Sequence, residues 1–203
     1  MAPGNRNGEE AQRPTLPYTG NPVGPLRTSL HERVPMSATP DARPIHVEMD
    51  SPIWLKLRMD LPPLPAEDIL RWFTDPCRLA QWMGDEHEVD LVPGGRYAIR
   101  WTSTGMAMEG AVIVARPTEI VFSWAFPHEP DTPARVVMVR AAAEGATQSS
   151  LVIIHGPYRH DGEESAIVAS EVQARAGHLE GWNAFLPVLR ARLMETAAEA
   201  MPV

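Results

Sequence analysis

Between Ile53 and Leu61 every second residue is apolar, and most residues between them are polar. An alternation with a period of two is typical of a β-strand that is buried on one face. The segment that follows, residues 62–65, contains three prolines, which cannot continue a strand and therefore mark its end. The pattern predicts that the folded part of the chain opens with a strand.

Two short helices are predicted next. Pro65 suits the start of a helix because its φ angle is preset and its missing N–H has no helical partner there. The acidic residues 67 and 68 suit the positive end of the helix dipole. The Asp75-Pro76 pair ends this helix and begins a second one, with Asp75 as N-cap. The side chains expected to point inward are Ile69, Leu70, Trp72, Phe73, Leu79, Trp82 and Met83.

The next part of the chain consists of short strand patterns separated by turns. Strands are predicted over residues 89–92, 96–102, 107–115, 119–126, 134–141 and 148–155. Short strands at hairpin spacing indicate an antiparallel meander. Gly110 is expected to form a bulge or to allow another backbone to approach closely. The acidic run at residues 85–88, before the first of these strands, is interpreted as a solvated loop.

From about Glu164 the apolar period becomes helical. One stripe of this C-terminal helix is expected to face the sheet: Val168, Val172, Ala176, Leu179, Trp182, Leu186, Leu189 and Leu193. Gly181 is expected to let the helix approach the sheet closely. Pro187 is expected to kink the helix, because an internal proline removes a hydrogen bond and clashes with a carbonyl. A meander with segregated helices is an α+β arrangement.

The first 48 residues differ from the rest. They contain eight prolines and show no apolar periodicity. Such a segment cannot bury enough surface to offset its chain entropy. We therefore predict a disordered Pro-rich tail over residues 1–48, dispensable for stability, and one domain over residues 49–203. Met36 could open a shorter chain, so the sequence leaves open whether residues 1–35 belong to the native product.

Charge and cysteine content limit the partners and the compartment. The formal net charge is -8, which disfavours binding to nucleic acid or to an anionic membrane surface. Cys77 is the one cysteine, so an intrachain disulfide cannot form. The chain has no secretory signal and no apolar run of about 18 residues, so we predict a cytoplasmic protein. We expect no nucleic-acid or membrane partner and either a monomer or a homodimer.

Several motifs, taken in order, resemble a known family. They are Trp72-Phe73-Thr74-Asp75-Pro76 followed by Trp82, Gly94-Gly95-Arg96-Tyr97, Val121-Phe122-Ser123-Trp124, Thr147 with Leu151 and His155, and Gly181-Trp182 with Leu186 and Leu189. This set resembles the AHSA1-like branch of the SRPBCC, or Bet v 1/START, superfamily, named after the activator of Hsp90 ATPase homologue. The resemblance extends from residue 53 to about residue 195.

The resemblance implies a helix-grip fold, in which a curved antiparallel sheet and two short helices are closed by a long C-terminal helix. Members of this family typically enclose an apolar cavity. Some bind lipids or polyketides or act in antibiotic pathways, and the eukaryotic namesake stimulates a chaperone. This sequence departs from the family at Pro187 and in the polar loop at residues 155–164. Both would alter the rim of the cavity, so the ligand is not carried over.

Aromatic and histidine side chains are the candidate ligand contacts. Apolar cavities with few polar groups are typical small-molecule sites. Met106 and Met108 at a strand entry would suit a binding rim, since methionine is adaptable. The same aromatic residues could instead be plain core. The predicted ligand-binding residues are Trp72, Tyr97, Trp101, Met108, Phe122, Trp124, Phe126, His155, His178, Trp182, Phe185 and Leu189.

Catalytic signatures are missing from the sequence: it has no P-loop, GxSxG, HExxH or CxxC motif. We therefore expect no catalytic residue, no metal and no cofactor. His155 could act as an acid or base at the end of its strand, or could simply bond to a nearby backbone group. Catalysis would require a carboxylate partner, and Glu109, the candidate, is predicted to lie on the opposite face of its strand.

Three functions remain open. The favoured one is a domain that binds an apolar or polyketide-like small molecule, in natural-product biosynthesis or self-resistance, without chemistry of its own. The second is a cyclase- or hydrolase-type enzyme that uses the same cavity. The third is a protein-interaction module similar to the chaperone activator. A ligand that copurifies with the protein would favour the first two.

Overall fold

A computed structural model describes residues 45–127, 134–158 and 165–200. All of these residues belong to the compact unit Asp41–Val203. The elements follow one another as β1 (His46–Asp50), β2 (Leu55–Leu61), α1 (Ala66–Thr74), α2 (Pro76–Leu79), β3 (Glu86–Val89), β4 (Arg96–Trp101), β5 (Met106–Arg116), β6 (Glu119–Trp124), β7 (Arg135–Ala143), β8 (Ser149–Gly156) and α3 (Ser165–Ala200).

The strands form one sheet in the order β1-β2-β8-β7-β6-β5-β4-β3. Every neighbouring pair is antiparallel. The chain meanders from β3 to β8, and β8 then pairs with β2, so the first and last parts of the domain meet within the sheet. Two short helices and the 36-residue helix α3 complete the structure. The predicted α+β helix-grip fold is confirmed.

The core follows the predicted alternation on β2. Leu55, Leu57, Met59 and Leu61 are buried, whereas the residues between them are partly exposed. Burial of a side chain of this size stabilises a fold by about 1.5–3 kcal/mol. The two short helices begin and end as predicted: Pro65 precedes α1, and the side chain of Asp75 accepts a hydrogen bond from the backbone N–H of Cys77 at the start of α2. The predicted inward residues of both helices are buried.

Strand β1 crosses the predicted boundary between tail and domain. It pairs with β2, where His46 lies opposite Arg58 and Asp50 lies opposite Leu55. Five residues beside a proline-rich segment give too short a pattern to recognise in sequence. The first 44 residues of the predicted tail lie outside the described residues. A domain boundary at residue 48 would therefore divide a paired strand.

The acidic run at residues 85–88 is not a loop, because most of it belongs to β3. The predicted strand at residues 89–92 therefore begins three residues too late. Strand β3 pairs with β4, and its acidic side chains face arginines of that strand, Glu88 with Arg96 at 3.0 Å and Glu86 with Arg100 at 3.5 Å. Opposite charges on neighbouring strands stabilise such a pair. A charged edge strand also resists pairing with other chains.

Helix α3 is rotated from the predicted orientation in its first half. Val172 is 56% exposed and Ala176 is also exposed, whereas Glu171 is only 7% exposed. The second half agrees with the prediction, since Trp182, Leu186, Leu189 and Leu193 are buried. Pro187 lies on the exposed side of the continuous helix, and the kink expected there stays a prediction.

Two glycines, Gly110 and Gly181, were predicted to allow close backbone approach. The structure confirms this prediction for one of them and not for the other. A Cβ atom on Gly110 would lie 1.8 Å from the carbonyl oxygen of Ser123 on β6. The prediction for Gly110 is confirmed. A Cβ atom on Gly181 would meet no atom within 4 Å. The prediction for Gly181 is wrong, because a gap separates this residue from the sheet.

Gly110 provides a test of the sheet geometry. Gly110→Ala should lower the free energy of unfolding by about 1–3 kcal/mol, because β5 and β6 must move apart to admit the methyl group. The control is Gly177→Ala on α3, where a Cβ atom meets nothing within 4 Å. Alanine there should raise stability by about 0.5–1 kcal/mol through helix propensity. Urea unfolding measures both, and equal stability of the two variants would contradict the close approach.

Strand β1 provides a second test. A chain that starts at Asp50 loses the pairing of β1 and exposes the edge of β2. Its melting temperature should fall by about 4–8 °C, equivalent to roughly 2 kcal/mol for a domain of this size. A chain that starts at Asp41 keeps the strand and should melt within about 2 °C of the full chain, since the residues it lacks are proline-rich. Equal melting temperatures of the two shortened chains would show that β1 does not contribute to the stability of the domain.

Candidate functional site

An apolar cavity of about 240 Å³ lies between the sheet and α3. Its walls come from the residues after α2, from β4, β5 and β6 with their turns, and from one face of α3. The described residues that line it are Met83, Trp101, Thr104, Met106, Trp124, Phe126, Gly177, His178, Gly181, Trp182 and Phe185. Met106 and Thr104 are exposed and form a rim toward solvent. None of these residues carries a formal charge when histidine is neutral.

Aromatic rings form most of the wall. The Trp124 ring centroid lies 5.8 Å from that of Trp182 and 6.0 Å from that of Phe126. On the other side, Trp101 and Phe185 lie 6.1 Å apart. Centroid distances of 4.5–7 Å are typical of favourable aromatic pairs. The rings therefore hold one another in place, and a flat apolar molecule would meet preformed walls.

Two glycines on α3 create part of the space. Gly177 and Gly181 are one helical turn apart, so both lie on the same face of the helix. A Cβ atom at either position would meet no atom within 4 Å. Larger side chains here would occupy the cavity. The helix therefore closes over the sheet without filling the gap beneath it.

The predicted ligand-binding residues fall into two groups. Half of them line the cavity: Trp101, Trp124, Phe126, His178, Trp182 and Phe185. The others are not part of its lining: Trp72, Tyr97, Met108, Phe122, His155 and Leu189. Tyr97, for example, stacks on Phe122 at 3.9 Å and donates a hydrogen bond to the carbonyl oxygen of Phe73. These side chains belong to the core under the cavity.

Sequence reasoning missed several residues of the wall. Met83 was expected to be core, and Thr104 lies in a turn without a pattern. The glycines at 177 and 181 were not recognised as lining residues. Two glycines four residues apart in a helix lie on the same face and leave it without side chains. This spacing was the sequence signal that could have predicted a gap. Met106, expected at a binding rim, does lie at the rim of the cavity.

A buried polar cluster lies beside the cavity. His155 on β8 is 0% exposed, and its Nδ1 accepts a hydrogen bond of 3.1 Å from Nε1 of Trp182. The His178 ring centroid is 4.3 Å from that of His155. Nδ1 of His178 is 3.0 Å from the hydroxyl oxygen of Tyr158. The cluster connects the end of β8 to the first half of α3.

An ion pair completes this cluster. The Arg135 guanidinium donates a 3.0 Å hydrogen bond to Glu171, and both side chains are buried. The Cζ atom of Arg135 lies 5.0 Å from the centre of the Tyr158 ring, in a cation–π position. A buried charge needs a partner of opposite sign. Arg135 therefore explains why α3 turns Glu171, and not the apolar Val172, toward the sheet.

Both histidines are neutral at physiological pH. Burial lowers the pKa of His155 well below its usual value, and the neighbouring His178 and Arg135 act in the same direction. Burial, followed by the charge of Arg135, lowers the pKa of His178 to about 4. Burial raises the pKa of Tyr158, so its hydroxyl stays protonated. The cluster therefore offers neutral hydrogen-bonding groups.

The chemistry available at the site is limited within the described part of the chain. His155 is enclosed, and no carboxylate there is hydrogen-bonded to His155 or His178. Among these same residues, no group of three or more His, Cys, Asp or Glu side chains could hold a metal ion. Nor does any of the described helices have the length and apolar character needed to cross a membrane.

Comparison with known families gives one match. The family model described as activator of Hsp90 ATPase homolog 1-like protein matches residues 63–194. Among curated protein sequences, none matches the chain significantly.

Solved structures with the same fold are numerous. A protein from Rhodobacter sphaeroides is 17% identical with a TM-score of 0.57, over 78% of this chain and 100% of that one. An HSP90 activator from Plasmodium falciparum is 22% identical with a TM-score of 0.52, over 70% and 96%. DynU16, from the dynemicin biosynthetic locus, is 23% identical with a TM-score of 0.52. That match covers 71% of this chain and 48% of DynU16.

The lowered pKa of His178 predicts a pH dependence of stability. The unfolded chain takes up a proton near pH 6.5, whereas the folded chain resists it until about pH 4. The contribution of the neutral His178 to the free energy of unfolding is therefore fully present above pH 6.5 and is lost as the pH falls toward 4. His178 should account for about 2 kcal/mol of this loss, after allowance for its partial exposure.

The measurement is the free energy of unfolding at pH 7 and pH 4.5. In His178→Gln the loss between these pH values should be smaller by about 2 kcal/mol than in the parent chain. Asn183→Gln, on the exposed face of α3, is the control and should leave the loss unchanged. An identical loss in His178→Gln and the parent would contradict a neutral, buried His178.

Proposed function

The chain belongs to the activator of Hsp90 ATPase homolog 1-like family, and from this premise we propose that it binds an apolar small molecule between its sheet and C-terminal helix. The observation that carries the proposal is the cavity walled by Trp101, Trp124, Phe126, Trp182 and Phe185. Pockets for small molecules are typically concave and apolar, with few polar groups.

The energetics support a ligand in this space. Burial of apolar ligand surface against this lining would be favourable by about 25 cal/mol per Å². A bound molecule restores the missing contacts of the ring walls. Since apolar cavities of about 150 Å³ can hold benzene, this one would suit roughly two fused rings, and a longer ligand could extend past the rim.

We also propose a setting in natural-product chemistry, with a polyketide-like ligand. One fold relative comes from the dynemicin biosynthetic locus, and polyketides supply fused, flat ring systems that match aromatic walls. Because the similarity to DynU16 concerns only the fold, the proposal includes both a role in biosynthesis and a role in self-resistance. The ligand would be held without conversion.

Two alternatives make different demands. A cyclase- or hydrolase-type enzyme would need an acid or base that touches the ligand. His155 is fully buried outside the cavity lining, and His178, which does line the cavity, has no hydrogen-bonded carboxylate among the described residues. A chaperone-activator-like interaction module is supported by the family description and by the Plasmodium protein. A protein partner would leave the cavity without a role. The aromatic lining therefore favours binding of a small molecule.

The test uses N-phenyl-1-naphthylamine, a neutral apolar fluorophore. The full chain should bind it with a blue shift and enhanced emission. Gly181→Leu should weaken binding at least tenfold, because the added side chain occupies the cavity and the ring walls lose contact with the ligand. The matched control is Asn183→Leu, which places the same side chain on the exposed face of α3.

The proposal fails if the parent chain does not bind the fluorophore, or if the two leucine variants bind it equally well. Melting temperatures of all three chains show whether Gly181→Leu is folded.

Native mass spectrometry of gently purified protein distinguishes the proposal from the two alternative functions. A copurified small molecule supports the proposal, and a stoichiometric protein partner with no small molecule favours the interaction module.

A further inference from the structure

We infer that His178 selects, among apolar ligands, neutral molecules that carry a hydrogen-bond acceptor such as a ketone or quinone oxygen. The inference rests on the proposed binding function and adds the polar contact that would orient the ligand. It is drawn from the hydrogen bonds that surround the cavity and from the absence of charge in its described lining.

The imidazole of His178 is held by its neighbours. It stacks on Phe126, with centroids 5.9 Å apart and planes 14° from parallel. It meets the Trp124 ring edge to face at 6.1 Å. Nδ1 lies 3.0 Å from the Tyr158 hydroxyl. These three contacts fix the ring in the wall of the cavity, with one nitrogen already engaged.

Tyr158 determines which nitrogen of His178 carries the proton. Within the described part of the chain, the hydroxyl of Tyr158 has one hydrogen-bond partner, Nδ1 of His178. The hydroxyl therefore donates its proton to that atom, since a buried O–H without an acceptor is costly. A neutral imidazole that accepts at Nδ1 carries its proton on Nε2. The free nitrogen of His178 is thus a donor.

The other polar side-chain groups of the described lining either already make a hydrogen bond within the protein or are fully buried. Nε1 of Trp182 donates to Nδ1 of His155. The hydroxyl of Thr104 donates to the carbonyl oxygen of Trp101 within the turn at the rim. The indole nitrogens of Trp101 and Trp124 have no hydrogen-bond partner among the described residues, but both atoms are fully buried, so a ligand in the cavity does not reach them. Nε2 of His178 is therefore the donor that the wall can offer to a ligand.

The lack of cations in this lining argues for a neutral ligand. Arg135, the nearest cation of the cluster, is buried and paired with Glu171. A carboxylate or phosphate group in the cavity would lose its hydration without gaining an opposite charge, which is strongly unfavourable. A carbonyl oxygen needs a single donor. Aromatic ketones and quinones combine that acceptor with a flat apolar body.

The test compares two probes of nearly equal shape, 2-acetylnaphthalene and 2-isopropylnaphthalene, by displacement of N-phenyl-1-naphthylamine from the full chain. His178→Phe should weaken the ketone about threefold to tenfold relative to the hydrocarbon, as expected for one neutral hydrogen bond. Affinity for the hydrocarbon should change less than about twofold. His178→Leu, which also lacks a donor, repeats the comparison if His178→Phe does not fold.

Tyr158→Phe tests the positioning role of the tyrosine, because without it the proton of His178 can move to Nδ1. The ratio of ketone to hydrocarbon affinity should fall, with less effect on hydrocarbon affinity. If both probes bind and the ratio is the same in the parent and the His178 variants, the inference is overturned and the binding function stands. If the fluorophore binds and neither probe displaces it, the inference fails and the binding function stands. If the fluorophore itself does not bind, both fail.

Discussion

The hydrogen bond from Trp182 to His155 connects the long helix to the middle of the sheet. His155 lies on β8, opposite Leu55 of β2 and Val137 of β7, and all three side chains are fully buried. A neutral imidazole in such a place needs a donor for its accepting nitrogen. Trp182 supplies it only when α3 turns that side chain inward. This hydrogen bond therefore opposes rotation of the helix about its axis.

The rest of the site depends on this orientation of the helix. His178, one turn before Trp182, and the glycines at positions 177 and 181 line the space above the sheet. Two turns earlier again, Glu171 comes within 3.0 Å of Arg135. Buried ion pairs add little net stability but are costly to break, so Arg135 and Glu171 oppose any other rotation of the first half of the helix. Apolar contacts of Leu186, Leu189 and Leu193 fix the second half.

Strand alternation and helix-start signals predicted most of the architecture. Burial on one face of β2, for example, leaves a period of two in the sequence. The first half of α3 could not be predicted in that way. A hydrophobic pattern assumes that apolar residues are inside, whereas here Glu171 is buried and Val172 is exposed. The partner that stabilises Glu171 is 36 residues away, and no local signal reveals it. Strand β3 was missed for a similar reason, since its acidic residues depend on arginines of the next strand.

The candidate site was predictable in type and not in extent. Phe122 and Trp124 share one face of β6, and alternation cannot show that Trp124 alone reaches the cavity. That difference depends on where α3 leaves a gap, and Gly177 and Gly181 line part of this gap. Because two residues of the helix that line the gap carry no side chain, the size of the gap can change by substitution at these two positions. The shape of the cavity can therefore diverge in evolution while the sheet and its folding stay the same.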